Sequence, residues 1–228
     1  MSGRRRIVVE PKRAFAIVPA AGESRRMGSP KLLLPLHGSP LIAHTLIAWQ
    51  TAGLAPLVVV RPDDQKLIAV CHAYGAEVLV PHAPPAEMKI SVQLALAYLQ
   101  QRYRPPADFA WLLAPADMPR LSPPIIERLL EQHVQNWSKT SSPPILVPTS
   151  AGTRGHPVLF PWSIAAQVFA LAADEGVKAL LARNEVREIA CDDLLHQEAA
   201  AFVDIDTPGD YQALLPSDLI TPAQFDRK

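Results

Sequence analysis

Short apolar runs of strand length alternate with segments of helical period along most of this 228-residue chain, and that alternation narrows the fold more than any other feature. Ala14-Phe-Ala-Ile-Val-Pro-Ala20 reads as a buried strand. Ser39-Pro40 then gives a helix start, followed by Ile42, Leu46 and Trp49 at i, i+4 and i+7. Pro56 to Arg61 is a second strand, and Leu67, Cys71 and Tyr74 mark the next helix. Ala76 to Val80 is a third strand, with helical spacing after it from Lys89 to Tyr103 through Ile90, Leu94 and Ala97. Asp108 to Ala114 is the fourth, and Ser122-Pro123 caps a helix carrying Ile126, Leu129 and Leu130. Ile145–Val147 and Val158–Phe160 are further short strands. Strands apolar on both faces and separated by helices imply a mostly parallel central sheet covered on both sides. The expectation is one three-layer α/β domain over residues 14–215, less regular from about 137 onward, with 1–13 and 216–228 as terminal extensions.

Composition bears on partners and compartment. With 22 Lys+Arg against 22 Asp+Glu, neither nucleic acid nor an anionic membrane surface is the expected partner. No apolar run reaches the roughly 18 residues of a membrane span. The basic start, Arg4-Arg5-Arg6, is followed by Glu10 and Lys12, which interrupt any signal-peptide core. Cys71 and Cys191 are the only cysteines, too few for a disulfide framework or a thiolate zinc site. A cytoplasmic, soluble protein is the expectation. The 24 prolines cluster between apolar runs and punctuate elements. Three of only ten glycines, Gly22, Gly28 and Gly38, crowd one stretch, which suggests unusual backbone or close approach to a ligand.

Open α/β sheets bind ligands beyond the carboxyl ends of their strands, which selects the residues after Ala20, Ala114 and Val203. After Ala20 come Gly22, Ser24, Arg25, Arg26, Gly28 and Lys31, with neither a GxGxxG nor a P-loop pattern. Backbone N–H groups near Gly22, the Ser24 hydroxyl and three cations within seven positions suit phosphate. A solvated basic turn is the other reading of the same residues. After Ala114, Asp117 stands just past a buried strand as a turn residue or a ligand; Ser122 is the better cap for the next helix. After Val203, Thr207-Pro208 with Asp210 reads as a helix cap, which leaves Asp204 and Asp206 on one side of an extended segment.

The run Pro19-Ala20-Ala21-Gly22-x-Ser24-x-Arg26-Met27-Gly28-x-x-Lys31-x-Leu33-x-Pro35-x-x-Gly38-x-Pro40-Leu41 resembles the signature of MobA-like nucleotidyltransferases, which include the molybdenum cofactor cytidylyltransferases. The resemblance implies a Rossmann-like fold of the nucleotide-diphospho-sugar transferase type. It also implies transfer of a nucleoside monophosphate from an NTP to a phosphorylated acceptor, molybdopterin or the molybdenum cofactor, with pyrophosphate leaving. In that reading the loop Ala20, Ala21, Gly22, Ser24 wraps the triphosphate, and Arg26 and Lys31 neutralise phosphate charge. Asp117-Met-Pro119 resembles the family's metal element, so Asp117, with Asp206 as a second ligand, would hold Mg²⁺. His156, in Arg154-Gly155-His156-Pro157, falls near the acceptor by the same resemblance. Ser91 matches a nucleotide-side loop from which Glu87 and Lys89 depart, and Pro81 lies in the loop assigned to the base. Alanine at position 21, where the group's guanylyltransferases tend to have glycine, favours CTP over GTP. A sugar- or polyol-phosphate acceptor, or a nucleotide-binding module without catalysis, are the alternatives, and an enzyme that receives the finished cofactor is an implied partner.

Overall fold

The computed structural model describes residues 13–24, 27–137, 142–194, 202 and 204–215. Its sheet grows outward from the first strand, β1 (Ala14–Pro19), whose side chains alternate between two cores: Ala16 and Val18 on one face, Ile17 on the other. Two two-residue strands follow, β2 (Pro35–Leu36) and β3 (Ser39–Pro40), paired antiparallel. Ser39-Pro40 therefore closes a small hairpin, and helix α1 (Leu41–Thr51) begins one residue later than the sequence reading placed it. Strand β4 (Pro56–Val59), helix α2 (Gln65–Ala73), strand β5 (Glu77–Leu79) and helix α3 (Met88–Tyr103) extend the sheet to one side, where β1 pairs β4 and β4 pairs β5, all parallel.

The chain then returns to the other side of β1. Strand β6 (Ala110–Leu113) pairs parallel with β1, and helix α4 (Pro123–Trp137) follows it. Beyond it lie β7 (Ile145–Ser150), the short β8 (Thr153–Arg154) and β9 (Val158–Pro161). Strand β9 inserts antiparallel between β6 and β7. Helices α5 (Ala165–Phe169) and α6 (Leu180–Arg183) lead to β10 (Val186–Ala190), parallel to β7 at the sheet edge. The order is β10-β7-β9-β6-β1-β4-β5, with β8 paired to β7. The mostly parallel sheet is thus as expected, while the region after residue 137 is more regular than expected, because it extends the same sheet.

Helices α1, α2 and α4 cover one face through residues such as Leu46, Cys71 and Leu129. Helices α3 and α5 cover the other through Leu96 and Val168. On that second face Trp111 of β6 stacks on its cross-strand partner Phe160 of β9, with ring centroids 4.1 Å apart and planes 10° apart. No helix among the described residues is long and apolar enough to cross a membrane.

The last helix, α7 (Pro208–Gln212), starts on a reciprocal cap: the Thr207 hydroxyl accepts from the Asp210 N–H, and the Asp210 carboxylate accepts from the Thr207 N–H at 2.7 Å. The Thr207 hydroxyl also donates to that carboxylate, and these bonds hold the Asp210 carboxyl below its usual range. The cap is therefore complete at neutral pH and is lost as acid protonates Asp210. Thr207→Ala is expected to cost about 1 kcal/mol, read as a lower denaturant midpoint at unchanged slope.

Candidate active site

The chain order reverses direction at β1, with β4 on one side and β6 on the other, and the carboxyl ends of β1 and β6 form the crevice such a reversal leaves open. A cleft of about 750 Å³ lies there, walled by the loop after β1, by Pro115–Asp117 after β6, and by the start of α3. Among the predicted residues, Ala20, Ala21, Gly22, Ser24, Lys31, Ser91, Asp117 and Asp206 all line it. Arg26, and Val203 beside the C-terminal element, lie outside the described residues.

Three groups from distant parts of the chain converge on one ammonium. Lys31 sits on a single 3₁₀ turn whose Leu32 is buried, so its side chain is aimed across the cleft. Its Nζ lies 2.5 Å from Asp117 Oδ2 and 3.3 Å from Asp206 Oδ1, and donates to the Ile205 carbonyl at 2.8 Å. The Ile205 N–H in turn donates to the Asp117 carbonyl at 3.1 Å. Lys31 and Asp117 are largely buried, and Asp206 is about one-third exposed. The second Asp117 oxygen, Oδ1, is buried and has no hydrogen-bond partner. An unsatisfied buried carboxylate oxygen is costly and calls for a cation or donor. Two carboxylates, one with a vacant oxygen, are an all-oxygen donor set fit for a hard divalent cation that keeps water and phosphate as its other ligands. Among the described residues no cluster of three or more His, Cys, Asp or Glu side chains offers a fuller protein cage.

Two of the three crowded glycines carry the unusual backbone expected of that stretch. Gly28 and Gly38 have positive φ, as does Ser24 at 51°. Gly22 does not, and a Cβ built there meets nothing within 4 Å. The glycine therefore leaves open space facing the cleft, where any side chain would occupy room a ligand can use.

Two functional candidates had no place in the sequence reading. Thr45, fully buried on α1, puts its hydroxyl 3.0 Å from the carbonyl oxygens of Ala116 and of Met118, gripping the turn on both sides of Asp117. Nothing in the sequence marks a threonine on a buried helix face for that task. Arg61, just past β4, lines the cleft and pairs with Glu23 at 2.9 Å and Asp63 at 3.1 Å. The strand-end rule, applied to β4, would have found it.

Other assignments shift. Pro81 is not among the residues lining the cleft; that wall is made further on, by Pro84 to Met88. Lys89 turns away, with its buried ammonium donating to the Ala172 and Ala173 carbonyls at 2.7 and 2.8 Å. It ties α3 to the segment after α5. His156 stands outside the cleft lining, and burial lowers its pKa against the opposing charges of Asp204 and Asp117. Its neighbour Gly155 has a packing reason, since a Cβ there would fall 2.0 Å from the Phe202 ring.

The family model of the MobA-like NTP transferase domain matches residues 16–189, more than three quarters of the chain. The chain belongs to that family. Its fold is similar to Rv0371c from Mycobacterium tuberculosis H37Rv, with TM-score 0.71 and 28% identity over 89% of this chain and 97% of that one. A manganese complex of the same mycobacterial protein superposes with TM-score 0.68 and 26% identity, covering 90% and 98%. Among curated proteins, a 2-C-methyl-D-erythritol 4-phosphate cytidylyltransferase from Azoarcus sp. is 69% identical over 67 residues, 28% of this chain and 25% of that protein. A probable molybdenum cofactor guanylyltransferase from Pyrococcus horikoshii is 29% identical over 118 residues, 52% of this chain and 55% of that protein. The matches span from about a quarter to little more than half the length of such curated relatives.

Proposed function

We propose that this member of the MobA-like family moves CMP from CTP onto a phosphorylated acceptor, molybdopterin or its molybdenum cofactor, and releases pyrophosphate. The observation that carries the reading is the Lys31–Asp117–Asp206 cluster, with its vacant Asp117 oxygen, at the edge of a cleft walled by a glycine-bearing loop. An oxygen of the acceptor phosphate attacks the α-phosphorus, the bond to the β-phosphate bridge breaks, and pyrophosphate carries off the electron pair. The acceptor phosphate is already ionised at neutral pH, so no general base is required. That agrees with His156 lying outside the cleft lining.

Catalysis is then a matter of placement and charge. The loop from Ala20 to Ser24 presents backbone donors to the triphosphate, and Lys31 with Arg26 offsets the charge of the reacting phosphates. Asp117 and Asp206 would hold Mg²⁺, which supplies Lewis-acid neutralisation of phosphate oxygens when bound. Thr45 keeps the Asp117 turn in register, and the start of α3 around Ser91 forms the opposite wall. The manganese complex of the similar mycobacterial protein supports a divalent metal in this fold.

A polyol-phosphate acceptor is the second reading, favoured by the identity to the Azoarcus cytidylyltransferase over the matched 67 residues. Pyrophosphate release with each of four NTPs, against molybdopterin and methylerythritol phosphate, separates the two. Release with CTP and molybdopterin alone is expected. Release with methylerythritol phosphate alone would move the acceptor assignment to the second reading, and CTP·Mg binding without release from any pair would leave a binding module. The base is tested at Ala21, a buried residue of the cleft wall. Ala21→Gly should shift kcat/KM towards GTP by about tenfold, since one methyl is worth about 1–3 kcal/mol of discrimination. An unchanged ratio would make Ala21 packing only.

A further inference from the structure

The ammonium of Lys31 stands where a cation bound by the two carboxylates would stand. It is 2.5 Å from one carboxylate and 3.3 Å from the other, bridging them, and a third bond to the Ile205 carbonyl fixes it there. Magnesium or manganese held by the same oxygens at about 2.0–2.2 Å would come within contact distance of Nζ, and two cations cannot share that space. The charges make the same point. Asp117, Asp206 and Lys31 sum to one net negative charge, so the lysine already neutralises half of what would draw a metal in. Yet the neutralisation is incomplete at one atom, because Asp117 Oδ1 stays buried without a partner. The cluster is neither a finished ion pair nor an open metal site.

We propose that Lys31 is an internal stand-in for the metal: in the free protein it competes for the Asp117–Asp206 site, and a bound triphosphate draws its ammonium across to phosphate and frees that site for the divalent ion. The inference rests on the reading of Asp117 and Asp206 as metal ligands. It adds a coupling that reading lacks, since nucleotide and metal must then bind with positive cooperativity. Lys31 moves from carboxylate to phosphate as the metal enters, so each cation keeps an anionic partner throughout. A metal without nucleotide meets a competing cation. The cleft thereby resists filling with free metal before substrate arrives.

The test measures Mn²⁺ binding by the full chain, with free Mn²⁺ read by electron paramagnetic resonance, and needs no turnover. Without nucleotide, Lys31→Met and Lys31→Gln should each bind Mn²⁺ at least tenfold more tightly than the wild type. Lys31→Gln keeps a donor for the Ile205 carbonyl and serves if the methionine variant folds poorly. Adding a non-hydrolysable CTP analogue should tighten Mn²⁺ binding strongly in the wild type and much less in either variant. In chelator the variants should melt below the wild type, because the buried Asp117 carboxylate loses its cation, and Mn²⁺ should restore the loss. Equal or weaker Mn²⁺ binding by both variants overturns the proposal, as does tight Mn²⁺ binding that survives Asp117→Asn in the Lys31→Gln background. Absence of pyrophosphate release with the tightening intact would count against nucleotidyl transfer and leave the stand-in role supported.

Discussion

Replacing Asp117 by asparagine is expected to cut turnover at least a hundredfold, about 2.7 kcal/mol of transition-state stabilisation, while the fold stays intact. Asparagine has the same shape, and the main-chain bond from the Ile205 N–H to the residue 117 carbonyl survives the change. The Thr45 hydroxyl still grips the flanking carbonyls. What disappears is the negative charge that holds Lys31 at 2.5 Å and would hold a metal in its place. Asp206 is more exposed and further from the ammonium, so it cannot take over both tasks. Turnover at saturating Mg²⁺, beside a melting curve, checks this. Wild-type-like turnover would remove Asp117 from the metal site.

The largest expected loss of stability is at Trp111. Trp111→Ala should cost about 3–5 kcal/mol, because a fully buried indole and its stack on Phe160 both vanish from the joint between β6 and β9. Trp111→Phe should cost far less. It keeps an aromatic ring against Phe160 and removes an indole N–H that is buried without a partner. Denaturant midpoints of the two variants give the comparison, and equal losses would show that the retained ring and its stack on Phe160 contribute nothing there.

The four strands nearest the site were legible because each is apolar on both faces, the mark of a sheet covered by helices. Strand β10 was not, since Arg187 and Glu188 are exposed at an edge and break the apolar run that made the others visible. The hairpin of β2 and β3 was hidden by its prolines, residues that ordinarily argue against strands. At the site, Lys31 and Asp117 could be named from their motifs, but their mutual contact could not, because no periodicity records where two loops meet. Asp206 was nominated from the pattern around Thr207, and the cap at that threonine is as expected. Pro81 falls outside the cleft lining for a related reason: the chain runs several residues past β5 before the lining begins at Pro84 to Met88.

The three partners of the Lys31 ammonium lie 86, 174 and 175 positions further along the chain. That spacing means the cluster cannot assemble before residue 206 has been made and brought into place. Distance along the chain costs little at equilibrium, since each doubling of a closed loop adds only about 0.6 kcal/mol. In time it costs more, because contacts between remote segments form late and slowly. A nascent chain that has folded β1 to β6 already holds the phosphate loop and Asp117 in outline, yet lacks the Ile205 carbonyl and the Asp206 carboxylate. The cation cluster comes together only when the segment around residue 205 docks, so a contact far along the chain from the phosphate loop finishes the site.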